Sequence, residues 1–152
     1  MRKRLLVALL LPAVLAASAP LGDSMYGTVR EVRRSNRVTL VAADEVYQVG
    51  LVGVEPVRSA QMEEQARTLL RSLVQGRRVQ LRFEYRTRDG VMLGRLLLAD
   101  SAAGPRGVDV GVELMRRGLV RRAPNYDYKY RELSAAENLA RRERLGIWSA
   151  RR

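Results

Sequence analysis

Five short segments of alternating polarity, interrupted once by an amphipathic helix, dominate the sequence between residues 25 and 99. Apolar and polar residues alternate within these segments, and turn-forming residues separate them, which is typical of strands with one buried face. Two glycines inside the third segment indicate a bulge or a tight bend. The predicted strands cover residues 25–33, 37–43, 46–54, 79–85 and 91–99. This order predicts a small Greek-key barrel of the OB type.

Three helices complete the predicted architecture, each closed by a glycine. They cover residues 59–75, 108–117 and 130–145, and the closing glycines are Gly76, Gly118 and Gly146. A capping-box pattern from Ser134 to Glu137 leaves open a start of the last helix four residues later. The predicted fold is therefore mainly β with α (α+β): a five-stranded OB-type Greek-key barrel plus three helices, in one domain over residues 25–150.

The first nineteen residues have the pattern of a secretory signal peptide. Three basic residues precede an apolar run over residues 5–17, and Ala17-Ser18-Ala19 gives a small-x-small cleavage pattern. The run has about 13 residues, whereas a membrane-spanning helix needs roughly 20. We therefore expect an exported protein, periplasmic or secreted, with no membrane span after cleavage. Cleavage after Ser18 and an uncleaved anchor remain the alternatives.

The net charge limits the partners, and the missing residue types limit the chemistry. The chain carries a net charge of +12, and loss of the three basic signal residues leaves 25 basic against 16 acidic residues. Such a charge predicts an anionic partner: nucleic acid, anionic lipid or an acidic polymer. The chain has no Cys, so its core must stabilise it without disulfides. It also has no His, which excludes His-based nucleophilic sites and His-ligated zinc.

Four local motifs occur in collinear order over residues 25–150. Residues 49–55 (VGLVGVE) are similar to V-R-L-[IL]-G-[IV]-D, and residues 93–95 (LGR) to Y-G-R. Residues 113–120 (ELMRRGLV) are similar to a-L-v-x-x-G-L-A. Residues 136–148 (AENLARRERLGIW) are similar to the closing motif A-E-x-x-A-x-x-x-x-x-G-[IL]-W. On these motifs and on the order of strands and helices, the chain resembles the staphylococcal nuclease (thermonuclease-like) family.

The resemblance implies a metal-dependent phosphodiesterase site. Nucleases of that family hold one Ca²⁺ with two Asp carboxylates and a backbone carbonyl, while a Glu acts on the attacking water and two Arg hold the phosphate. Ca²⁺ prefers several oxygen ligands, charged ones above all. Guanidinium forks stabilise the negative charge that develops on the pentavalent phosphoryl group.

Most of these family positions carry other residues in this chain. The first Ca²⁺ carboxylate corresponds to Asn36, and the second to Glu55, which is one methylene longer. The water-activating Glu corresponds to Arg58, and the first phosphate Arg to Gly50. The second phosphate Arg is kept as Arg95. Arg95 and Glu55 are thus predicted remnants of the catalytic set, and Asn36 with Glu55 forms at most a weak metal site.

Other acidic residues do not restore the predicted site. A shift of the loop alignment by one residue puts Val54 and Val57 at the acidic positions. Asp44 and Glu45 belong to the next turn of an antiparallel meander, at the opposite end of strands roughly 20 Å long. With one carboxylate left and a guanidinium added, the site is expected to hold Ca²⁺ weakly.

The same replacements suit phosphate or another anion. The residues predicted to bind phosphate or nucleic acid are Arg34, Arg37, Arg58, Arg95, Tyr126 and Tyr128. Tyrosine rings could stack on bases, for about 1–3 kcal/mol per base. Solvated surface charge for the arginines, an ion pair of Arg95 with Glu55, and packing of the tyrosine loop are the structural alternatives. Trp148 is predicted to close the core.

Three functions are open at this level. The residues favour an exported, non-catalytic binder of nucleic acid or another polyanion that needs no cofactor. The second hypothesis is an active thermonuclease-like endonuclease that cleaves DNA or RNA with Ca²⁺. The third is an envelope module that binds a protein partner, because small barrels host unrelated functions.

Overall fold

The computed structural model of the protein describes residues 24–99, 107–126 and 130–149. The predicted signal peptide (residues 1–19), most of the loop at 101–107 and Tyr128 lie outside the described residues. Within the described ranges, no helix has the length and apolar character to cross a membrane. The elements are β1 (Ser24–Arg34), β2 (Arg37–Ala42), β3 (Glu45–Leu51), β4 (Val54–Glu55), α1 (Ala60–Val74), β5 (Arg78–Arg86), β6 (Met92–Leu98), β7 (Val108–Asp109), α2 (Val110–Arg116), β8 (Arg121–Arg122) and α3 (Arg131–Arg142).

Five strands form a closed barrel in the order β3-β2-β1-β5-β6. Four of the pairings are antiparallel, and a parallel pairing of β3 with β6 closes the barrel. Closure leaves no long exposed strand edge in the barrel. β7 extends the sheet beside the end of β6, and β4 pairs with β8 in a separate two-stranded sheet. The predicted α+β fold, a five-stranded barrel with three helices, is confirmed.

The third predicted strand is divided in the structure. β3 ends at Leu51, the chain turns through Val52 and Gly53, and β4 follows as a separate strand. Gly53 has a φ of +72°, which glycine adopts at little cost. The preceding β2–β3 turn consists of Ala43 and Asp44, both at positive φ. The second strand is therefore shorter than predicted by one residue, and Glu45 belongs to β3.

Helix α1 lies against β1 and supplies part of the core through Ala66, Leu70 and Val74. The Ser59 side chain caps α1 by accepting a hydrogen bond from the Met62 backbone N–H. Apolar burial of this kind, worth roughly 25 cal/mol per Å² of apolar surface, holds α1 on the barrel.

Two helix starts differ from the sequence-based boundaries. Residues 108–109, predicted as helix, form β7, and Asp109 then caps α2 with its carboxylate. Helix α3 begins at Arg131, so the alternative start four residues later is wrong and Ser134 lies inside the helix. Trp148 does not belong to the core cluster; it lies half-buried beside two arginines.

Candidate functional site

The turn between β1 and β2 is fixed to two other elements. Ser35 is fully buried, and its backbone N–H and hydroxyl donate to the two oxygens of the Glu63 carboxylate at 2.8 and 2.5 Å. The Asn36 amide donates to the Val54 carbonyl at 3.3 Å. The Leu51 N–H in turn donates to the Asn36 carbonyl at 2.9 Å. These bonds place the turn against β4 and the first turn of α1.

A cavity of about 260 Å³ lies between this turn and the start of α1. Its lining consists of Arg34, Pro56, Val57, Arg58, Ser59, Ala60 and Glu63. Both arginines are exposed, whereas the Glu63 carboxylate is occupied by Ser35. Two guanidinium groups beside one engaged carboxylate leave net positive charge, which favours an anion such as phosphate. We call this cavity the Arg34–Arg58 pocket.

Arg95 does not line this pocket. Its Nε donates to the Asp109 carboxylate at 2.6 Å, and its Nη2 lies 3.9 Å from Glu132. The guanidinium carbon also lies 5.3 Å from the centre of the Tyr130 ring. Because Asp109 caps α2 as well, Arg95 connects β6 to that helix. The alternative in which Arg95 pairs with Glu55 is wrong, since its carboxylate partners are Asp109 and Glu132.

The residues at the predicted metal positions do not fit Ca²⁺. Asn36 uses its amide as a donor to Val54, and Glu55 is the one carboxylate among these positions. Glu55 is exposed on β4, and its partner across the strand pair is Arg121 of β8. Nowhere in the described ranges do three acidic, His or Cys side chains come close enough to share an ion. With so few anionic ligands, a hard cation gains little here.

Gly50, at the position of the first phosphate Arg, is buried and faces β6. A Cβ atom at Gly50 would overlap the Cδ2 atom of Leu93, which is its partner in the β3–β6 pairing. Leu93 thus fills the space in which a longer side chain would have to begin. An arginine at position 50 would need Leu93 to move.

Arg37 does not line the Arg34–Arg58 pocket, although it pairs with Arg34 across the β1–β2 turn. It begins β2 opposite Gly50 and faces the turn before β6. The pKa of Asp89 in that turn is lowered, mainly by the Thr87 hydroxyl and in smaller part by the positive charge of Arg37. Of the four arginines predicted to cluster, Arg34 and Arg58 line the pocket and Arg37 lies across the turn from Arg34. Arg95 is bound to Asp109 instead.

Three tyrosines, Tyr85, Tyr126 and Tyr130, form a row of contacting side chains. The Tyr126 hydroxyl lies 3.0 Å from the Tyr85 hydroxyl, and its ring stacks on Tyr130 with centres 6.1 Å apart. Burial, and next the hydrogen bond to Tyr85, raise the pKa of Tyr126 to about 12. Arg95 lies over the last ring of this row. Tyr85 is 44% exposed, so one end of the row is open to a ligand.

Three residues of this region were not predicted from the sequence: Glu63, Asp109 and Tyr85. The signal for Asp109 was that Asp is a preferred N-cap residue, although the predicted helix began one residue before it, at 108. Glu63 carried the weaker signal of an acidic residue in a first helical turn. Tyr85 gave none, because its partner is 41 residues away in the sequence.

A closed five-stranded barrel with three helices defines an OB-type barrel, and here a basic pocket lies beside its first turn. The sequence model of the family described as staphylococcal nuclease homologue matches residues 43–150, and the chain belongs to that family. The matched range includes Glu55, Arg58 and Arg95, while the turn with Arg34 precedes it. A comparison with curated proteins finds no match for this chain.

Proposed function

We propose that this domain binds nucleic acid, or another polyanion, without cleaving it. The observation that carries the proposal is Arg58. It stands where the family resemblance places the water-activating Glu, and it lines a cavity together with Arg34. A cation at that point repels a metal ion and attracts a phosphate. The proposal includes export from the cytoplasm and needs no cofactor.

We infer that the domain does not cleave nucleic acid because three groups that would accelerate the reaction are missing or already engaged. A general base contributes about 10²–10⁴-fold to such reactions, and Arg58 is no base. A charge-stabilising arginine contributes about 10³-fold or more in phosphoryl transfer. Here Gly50 offers no guanidinium, and that of Arg95 is bound to Asp109. The effects need not add, but each lowers the rate in the same direction.

Binding of a fluorescent single-stranded oligonucleotide to the purified chain, measured across salt concentrations, tests the proposal. We expect the logarithm of the affinity to fall with log salt, by roughly 0.7 for each phosphate contacted. Arg58→Gln and Arg34→Gln should each weaken binding and reduce that slope by about 0.7. Arg71→Gln is the matched control, because Arg71 lies in the last turn of α1, far from the pocket. Absent or salt-independent binding would overturn the proposal.

A second arm of the binding experiment tests the sign of the pocket charge. Glu63→Gln keeps the shape of the side chain but removes its negative charge. One unit charge about 6 Å from a phosphate changes the binding free energy by roughly 0.7 kcal/mol in water, so affinity should rise about 3-fold. An unchanged affinity in a folded Glu63→Gln variant would place the phosphate outside this pocket.

Incubation with DNA and RNA, with Ca²⁺ or a chelator, tests the non-catalytic part separately. We expect no cleavage under either condition. Cleavage that is lost with chelator and in Glu55→Ala would support the active endonuclease instead. If no nucleic acid binds and a protein partner survives nuclease and high salt, the interaction module is supported.

A further inference from the structure

A second group of guanidinium groups lies where the C-terminal ends of α2 and α3 meet. The Ile147 N–H donates to the Gly118 carbonyl at 2.9 Å, so the two chain segments are in direct contact. Arg117 and Arg144 flank this junction. We call Arg117, Arg121, Arg141 and Arg144 the C-terminal patch; all four are exposed.

Trp148 fixes two members of the C-terminal patch. The guanidinium carbons of Arg121 and Arg141 lie 5.5 and 4.4 Å from the centre of its ring. Both distances are within the range of cation–π attraction. Two guanidinium groups held by one ring lose less freedom when they bind a phosphate than two mobile side chains would. This arrangement is a preorganised anion contact.

The negative charge near the patch does not balance its four arginines. Arg141 lies 3.3 Å from Glu137, but that carboxylate is 3% exposed and is shared with Arg122. The carboxyl end of a helix supplies about half a negative charge. Among the described residues, the other three patch arginines have no carboxylate within 4 Å. Glu143 beside Arg144 and Glu55 opposite Arg121 reduce this charge. Arginines still outnumber carboxylates at the junction, because Arg116, Arg122 and Arg142 belong to the same segments.

The backbone at Arg144 has the left-handed conformation that ends many helices. Arg144 follows the end of α3 with a φ of +54°, in the left-handed region that favours glycine. Gly118 ends α2 in the same conformation, with a φ of +67°. The chain therefore carries an arginine at a position where glycine would be less strained. The Leu145 N–H donates to the Ala140 carbonyl at 2.9 Å across this turn, so the conformation serves to end α3. Arg144→Gly therefore removes the positive charge and relieves the backbone strain together.

The C-terminal patch lies near the Arg34–Arg58 pocket, with the exposed Glu55 between them. Arg121 lies directly across the β4–β8 pair from Glu55, and Glu55 is three residues before Arg58. Three residues span at most about 11 Å of chain. We propose that the C-terminal patch is a second phosphate-backbone contact for the same nucleic-acid strand that enters the pocket. This inference rests on the proposed function.

A nucleic acid fits the patch better than a lipid surface does. Guanidinium groups in fixed positions match discrete phosphates. Peripheral membrane binding also uses several exposed apolar residues as anchors. The junction exposes one large apolar side chain among the described residues, Leu145 at 36%, which is too little apolar surface for an anchor. The proposal therefore commits to nucleic acid.

Arg144→Gly provides the sharpest test, because the two roles of the residue predict opposite changes. Relief of the strain should raise the melting temperature. Loss of a phosphate contact should weaken binding of an oligonucleotide of about 20 nucleotides by roughly 3- to 10-fold and reduce its salt slope by about 0.7. Binding of a dinucleotide, which is too short to reach both sites, should not change. Arg121→Gln should act in the same direction on affinity, and Arg71→Gln is again the control.

Trp148 supplies a direct readout, since it is the sole tryptophan of the chain. The longer oligonucleotide should change its emission, and the shorter one should not. If the original chain binds no nucleic acid, the proposed function fails. If it binds but Arg144→Gly and Arg121→Gln behave like Arg71→Gln, this inference alone fails. If Arg144→Gly and Arg121→Gln lose binding to phosphatidylglycerol vesicles but bind the oligonucleotide as the original chain does, the patch binds a lipid surface. That result would overturn the inference.

Discussion

Glu63 has two effects at the site that oppose each other. Its carboxylate accepts both hydrogen bonds that the fully buried Ser35 donates, so it holds the turn that carries Arg34. The same negative charge lowers the attraction of the pocket for anions. A buried donor without a partner costs about 1–3 kcal/mol, which exceeds the cost of one partly screened charge at the rim. The presence of a carboxylate at Glu63, beside two arginines, is therefore explained by the turn it holds.

The first prediction concerns this carboxylate. Glu63→Ala leaves two donors of Ser35 without their acceptor, so the free energy of unfolding should fall by about 2–4 kcal/mol. Glu64→Ala, the next residue of α1, removes exposed ion pairs with Arg67 and Arg71 and should cost less than about 1 kcal/mol. Urea denaturation followed by Trp148 fluorescence measures both. Equal effects of the two variants would contradict the structural role of Glu63.

Tyr126 gives a second prediction, on stability against pH. Its pKa is raised from 10.0 to about 12 in the folded protein, first by burial and then by Tyr85. The unfolded chain therefore loses this proton at lower pH than the folded chain, so stability present below pH 10 should decline between about pH 10 and 12. Tyr126→Phe should show a shallower decline across that window. Parallel curves for both proteins would exclude Tyr126 as the source.

At the scale of elements, the β2–β3 hairpin contains a turn that its residues do not favour. Ala43 and Asp44 have φ values of 48° and 64°, while Ala42 pairs with Glu45 around them. Two positive φ angles define the type I′ geometry, for which Asn-Gly is the preferred sequence. Two L-residues with side chains thus occupy backbone positions that glycine and asparagine adopt more easily.

The third prediction follows from this hairpin. The double variant Ala43→Asn with Asp44→Gly should raise the free energy of unfolding by about 1–2 kcal/mol, because left-handed backbone costs that much for ordinary residues. Ala135→Gly, inside α3 and exposed, should lower it by about 0.5–1 kcal/mol. Chemical denaturation of both variants checks the contrast. Destabilisation by Asn-Gly would show that the turn has another geometry in solution.

Elements with strong local patterns were predictable from the sequence. The barrel strands alternate in polarity, and α1 carries one apolar stripe, so burial alone fixes their type. The break between β3 and β4 was not predictable from the sequence, because Val52 and Val54 are as apolar as the residues of a buried strand. The turn there depends on Gly53, and a glycine inside a strand can equally mark a bulge.

The candidate site was predictable in part, for a related reason. Arg34 and Arg58 meet at one pocket, as the order of the family motifs indicated. The binding of Arg95 to Asp109 depends on the pairing of β6 with β7, which brings Asp109 opposite Leu97. No local pattern encodes that register. Contacts between segments distant in the sequence therefore determine the partner of Arg95, the phosphate arginine of the family that this chain keeps.

At the scale of the whole molecule, the positive charge comes almost entirely from arginine. Lys3 and Lys129 are the only lysines among 28 basic residues, and the chain has no histidine. Guanidinium groups keep their proton up to a pH above 12, whereas lysine side chains lose theirs near pH 10.4. The net positive charge of the folded domain is thus nearly independent of pH across a range in which a lysine-rich binder would lose charge.

The last prediction concerns the pH range of binding. If the guanidinium groups of the Arg34–Arg58 pocket and the C-terminal patch hold the phosphates, the affinity for a single-stranded oligonucleotide should change less than about 2-fold between pH 7 and about pH 9.5 at constant salt. Tyr126 does not add negative charge in this range, because its pKa is raised to about 12. Anisotropy titrations at fixed ionic strength measure the affinity. A steep loss of affinity below pH 9 would mean that a group with a lower pKa, rather than arginine, makes the decisive contact.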